Sequence, residues 1–158
     1  MDDKKLRSNL LELLDGGIAY PPPKSVLARL QSANRSARPT GAVHSVWEEL
    51  EHMRIAQEDI LRYTMDPEWK SPKWPEGYWP DPKAKLTSVM WASTVKRFFA
   101  DLDELKSIVR NKKMDLTAVI PHGEGRTYLR QVLLAADHNA YHTGQIVLIR
   151  RLLDDWPS

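Results

Sequence analysis

The chain has 158 residues, 23 lysines and arginines against 21 aspartates and glutamates, a formal net charge of +2, 42% hydrophobic residues and no cysteine. That length and apolar content suit one domain over residues 1–158, and the lack of cysteine excludes disulfides, thiolate catalysis and cysteine-held zinc, leaving nitrogen and oxygen as metal donors. No block of like charges and no basic stripe interleaved with aromatics is present, which argues against nucleic acid as a partner, and no apolar run approaches the roughly 20 residues of a membrane span. The charged start, Met1 to Lys5, has no signal-peptide pattern, so the sequence reads as cytoplasmic.

Leu6, Leu10, Leu13 and Leu14 recur at helical spacing before Gly16-Gly17, which predicts a first helix closed by glycine. Pro21 to Pro23 impose an extended connection, Val26, Leu27 and Leu30 suggest a short second helical piece, and Gln31 to Gly41 reads as a loop. Ser45 and Glu48 fit a capping box, which starts a long helix running to about Thr64. Its apolar arc contains Val46, Leu50, Met53, Ala56 and Ile60, with Glu49, His52 and Tyr63 at the edge, Glu48 as a cap and Glu51 on a solvated face. His44 precedes the cap and is a poor candidate for metal contact.

Asp66 to Pro82 holds five prolines among Trp69, Trp74, Tyr78 and Trp79 and cannot be regular helix or central strand. So much aromatic bulk predicts an ordered loop packed across an end of the domain, either simply covering core or forming one wall of a substrate pocket. Leu86 to Val109 marks another long helix, and Pro121 to Gly125 punctuates the chain before a last helix from about Arg126. Four main helices and no convincing strand predict an all-α four-helix bundle with long connections.

The last helix carries Asp137-His138-Asn139-Ala140-Tyr141-His142-Thr143-Gly144-Gln145. At about 100° per residue, His138 and His142 lie roughly 40° apart on one helical face, on a stripe that is otherwise mostly apolar. Two imidazoles directed at a core need hydrogen-bond partners or a metal. A second apolar face, with Leu129, Val132, Leu133, Ala136, Ala140 and Val147, predicts burial on both sides of this helix, by its own chain or by a partner copy. If the long helices are adjacent, His52 is the third ligand to join His138 and His142. Three neutral imidazoles plus water suit zinc, and also nickel, iron or manganese. Glu49 and His52 have the E-x-x-H spacing of di-iron bundles, but no second copy of that motif is present. Gln145 can reach a water or substrate or be an ordinary core-edge residue, Tyr63 and Tyr141 can line a cavity, and Glu124 and Arg126 are expected to tie down their loop.

The stretch from Ser45 to Gln57, the segment Trp74-Pro-Glu-Gly-Tyr-Trp-Pro80, and Asp137 to Gln145 together resemble the DinB-like superfamily of small metal-binding four-helix bundles. The resemblance covers nearly the whole chain. It implies a metal triad of His52, His138 and His142, a divalent ion that is commonly zinc or nickel, and a homodimer. It also implies kinship with thiol S-transferases using bacillithiol, mycothiol-dependent isomerases and glutathione-dependent enzymes. The expected activity is that of a metal-dependent transferase or hydrolase, in which a small-molecule thiol or water on the metal attacks an electrophilic substrate. The alternative is a non-catalytic metal or small-ligand binding protein with a structural histidine site, and the sequence names no catalytic residue.

Overall fold

Each helix begins or ends where the sequence supplies a group for its unpaired backbone, and together the helices set the frame of the site. A computed structural model describes residues 2–156. Helix α1 (Asp3–Asp15) starts at Asp2, whose carboxylate accepts from the N–H groups of Lys4 and Lys5, and ends at Gly16, with φ of 69°. That left-handed backbone costs glycine little, and its N–H reaches the carbonyls of Glu12 and Leu13. Helix α2 (Pro23–Leu27) begins on a proline, whose missing N–H is no loss in a first turn. A short 3₁₀ turn, Ser32–Asn34, interrupts the expected loop.

Helix α3 (Val46–Met65) opens with both halves of the capping box: Ser45 Oγ accepts from Glu48 N–H at 3.3 Å, and Glu48 Oε2 accepts from Ser45 N–H at 2.8 Å. Helices α4 (Ser88–Arg110) and α5 (Tyr128–Leu152) begin at Thr87 and Thr127, whose hydroxyls accept from backbone N–H groups in the first turn. Among the described residues there is no β-strand, only an isolated bridge between Val119 and Thr127. The fold is an all-α bundle of four main helices and one short one.

Helix α3 is central, packing against both α4 and α5, while α1 lies against α4 and α5 and α2 against α5. One half of the core joins Leu10, Leu14, Leu61, Leu105, Val109 and Val132. The other joins Val26, Leu50, Met53, Phe98, Ile146 and Ile149. Leu50, Met53, Phe98 and Leu105 are fully buried, and each such side chain stabilises the fold by roughly 1.5–3 kcal/mol. Two buried arginines tie chain ends to this core. Arg7 donates to the carbonyl of Val109 in the last turn of α4 and to those of Asn111 and Met114 beyond it, and Arg150 donates to those of Val26 and Ala28.

Helix α5 is buried on both expected faces by the chain's own packing, with Val132, Ala136 and Val147 on one and Ala135, His142 and Ile149 on the other, while a stripe between them with Leu133, Leu134, Tyr141, Leu148 and Leu152 is exposed. The Trp-rich segment is ordered, as expected, but does not lie across an end. It runs back along the flank of α3, where Trp69 Nε1 and the Tyr78 hydroxyl both donate to Asp59, at 2.8 and 2.6 Å. Trp74 leans against the Tyr78 ring, 5.4 Å between centroids, and keeps 69% of its surface exposed.

Candidate metal centre

Helices α3 and α5 bring His52, His138 and His142 to one place, with one ligand-capable atom from each within 4.8 Å of the others. His52 and His142 are buried and His138 is partly buried. The periodicity of α5 puts its two histidines one above the other, and the packing of α3 against α5 supplies the third.

Two rings are fixed from behind. His52 Nδ1 lies 2.7 Å from the carbonyl of Tyr78, an acceptor only, so Nδ1 carries the proton and Nε2 holds a free lone pair. His142 Nδ1 lies 2.6 Å from Glu49 Oε2, which fixes the same tautomer. His52 Nε2 then faces His138 Nε2 at 3.1 Å. Two nitrogens sharing one ion at ordinary metal–imidazole bond lengths, in tetrahedral or octahedral geometry, stand about 3.0–3.4 Å apart. His138 Nδ1 is buried without a hydrogen-bond partner. The group is thus able to bind a metal ion, with outer partners behind two of its three rings.

Burial keeps two of the rings, His52 and His138, in the ligating form. Burial lowers the pKa of His52, opposed in part by the Tyr78 carbonyl. Burial, then His142 and His52, push that of His138 down from 6.5 to about 3. Neutral imidazole is the form that binds metals.

A cavity of ≈ 340 Å³ opens beside His142 and Glu49, bounded by the Gly41–His44 loop, Trp79 and the exposed side of α5 from Tyr141 to Leu152. Trp79 is stacked between two imidazoles, His44 at 3.9 Å between ring centroids and His52 at 4.0 Å, nearly parallel to both. Of the Trp-rich segment, only Trp79 reaches this cavity.

Over residues 24–146 the chain matches the model of the DinB superfamily. The chain belongs to this family. The DinB match spans all three histidines, Glu49 and Trp79, and leaves α1 and the Arg150 anchor outside. No curated protein and no solved structure matches the chain.

Other residues fall as follows. His44 stands apart from the three imidazoles but meets them through Trp79, and His122 bonds to the Tyr63 carbonyl at 2.8 Å, outside the cluster. Tyr141 and Gln145 line the cavity, whereas Tyr63 meets Arg126, which also pairs with Glu124 and secures that loop. Glu51, expected on a solvated face, instead accepts from Arg54 and from the Thr94 hydroxyl between α3 and α4. Sequence reasoning missed three supports: Glu49 behind His142, the Tyr78 carbonyl behind His52, and the His44–Trp79 stack. Only Glu49 left a signal, by sitting one turn before His52 on the same face.

Proposed function

We propose that this protein binds one divalent metal ion, zinc or nickel, through His52, His138 and His142, and that the adjoining cavity brings a small molecule to it. The observation carrying this reading is the pair of facing Nε2 atoms at 3.1 Å, backed by an acceptor behind each of two rings. Two lone pairs that close need a proton or a cation between them. A proton on either nitrogen satisfies that one contact, whereas a cation would also engage the third ring, His142, whose ligand-capable atom lies within the same 4.8 Å.

A bound ion would supply Lewis acidity, lowering the pKa of a coordinated thiol or water so that it serves as a nucleophile near neutral pH. The side chains do the rest. Glu49 orients His142, Trp79 walls the cavity and shields His52, and Gln145 and Tyr141 offer neutral polar contacts to a substrate. We assign the protein to metal-dependent transfer or hydrolysis on small molecules. The exposed stripe of Leu134, Tyr141, Leu148 and Leu152 on α5, with open space above Gly144, supports pairing of two copies along this helix. Sedimentation should then give twice the mass of one chain.

Elemental analysis of protein purified without an affinity tag tests the centre, alongside His52→Ala, His138→Ala and His142→Ala variants shown to be folded by circular dichroism. One equivalent in the parent and loss in all three variants is the expected result. A parent that cannot be loaded with zinc, nickel or manganese would sink the reading. Metal bound without turnover, but with a large fall in thermal stability on chelation, would assign the ion a structural role.

A further inference from the structure

The cavity beside the histidines has an uneven charge pattern. Among its lining residues there is no lysine and no arginine, and its one carboxylate, Glu49, is bonded to His142. Its outer walls are Val43, Tyr141, Leu148 and Leu152, all exposed, and Ile149 lies deeper. On the other side of the Trp-rich segment, the cleft between Tyr63 and Tyr78 does contain cations, Arg126 and Arg130. The protein can furnish a cleft with positive charge, and it has not done so here.

We infer that the cavity beside His142 selects an uncharged, largely apolar small molecule that presents a single electron-donor atom to the histidines. The inference rests on the metal reading above and adds the ligand class. Three neutral imidazoles, a divalent cation and the Glu49 carboxylate sum to one positive charge, which one anionic donor on the ion cancels. A second negative charge on the ligand would lie against Leu148, Ile149 and Leu152 with no cation to meet it, and burying an unpaired charge there is costly. Gln145 and His44 can hydrogen-bond a neutral polar group without asking for charge. At ≈ 340 Å³ the space is at the lower end of the range for small-molecule sites, about 300–1,000 Å³.

Two probes with one donor and one ring decide the matter: benzyl mercaptan and 4-(mercaptomethyl)benzoate, which differ by a carboxylate at the far end. Zinc is first titrated into the metal-free protein by calorimetry, and each thiol is then titrated into the zinc-loaded protein, with thermal shift as a second readout. The expected result is at least about tenfold weaker binding of the carboxylate. Val43→Lys, at an exposed position on the Gly41–His44 loop, should narrow that gap by strengthening the carboxylate probe alone. If zinc does not bind, the metal reading falls and takes the inference with it. If zinc binds but the two thiols bind equally, the carboxylate binds tighter, or neither binds, the inference is overturned while the metal reading stands.

Discussion

The Arg7 corner and the histidine cluster are both polar groups held inside an apolar bundle, yet they solve burial in opposite ways. All three guanidinium nitrogens of Arg7 are used: Nε on Asp3, the other two on the carbonyls of Val109, Asn111 and Met114. Nothing is left over for a ligand. In the cluster, two rings are held firmly from behind while their other nitrogens point inward, and His138 Nδ1 has no partner at all. Arg7 closes its hydrogen bonds within the chain, whereas the histidine cluster turns several ring nitrogens toward one shared point and leaves one without a partner.

That contrast can be pressed by experiment. The largest effect should come from Arg7→Met, which strands three carbonyls near the end of α4: a loss of about 3 kcal/mol in denaturant unfolding, with metal content unchanged in whatever remains folded. Glu49→Gln keeps the shape but removes the carboxylate behind His142, and calorimetry should show zinc affinity reduced about 10- to 100-fold with the fold intact. Smaller again is the effect of His138→Phe on the metal-free protein. It removes a stranded nitrogen but also the partner of His52 Nε2, so stability should change by less than about 1 kcal/mol, while any stabilisation by zinc is abolished.

The same ring fixes a pH dependence. With its folded pKa near 3 and its ordinary value at 6.5, the native state binds fewer protons than the unfolded chain between those limits. The contribution of His138 is therefore complete above pH 6.5 and is lost as pH falls toward 3. The denaturation midpoint of the metal-free protein should drop across that window, and drop less in His138→Phe. The smallest effect should be that of Trp74→Ser, which touches only an exposed ring: a change within about 0.5 kcal/mol and no change in zinc affinity.

What the sequence made legible was local. The capping box at Ser45, the glycine stop at Gly16 and the one-turn spacing of His138 and His142 depend on neighbours within a few residues, and each is present in the fold. What it hid depends on distant partners. Arg7 has the pattern of any helix-surface arginine, since its carbonyl acceptors lie more than 100 residues away. Glu51 looked solvated because the helix that covers it, α4, carries its partner Thr94. The Trp-rich segment was correctly denied regular structure, but which ring would meet His52 and which would face water was beyond composition: Trp79 and Trp74 have the same side chain and opposite surroundings. Both apolar faces that the periodicity marks on α5 are buried, but the exposed stripe between them centres on Tyr141 and Leu148, which neither face included.

His52 and His138 are 86 residues apart along the chain, and only the docking of α5 on α3 brings them together. An ion gripped by both is a link that no partly folded state lacking that docking can make. The free energy of such a link would belong to the finished structure and not to the route toward it, to be felt as slower unfolding with refolding nearly unchanged. With an ion bound, the centre would act in kinetic terms as a latch: it would set how long the assembled protein lasts, with little say in how fast it assembles.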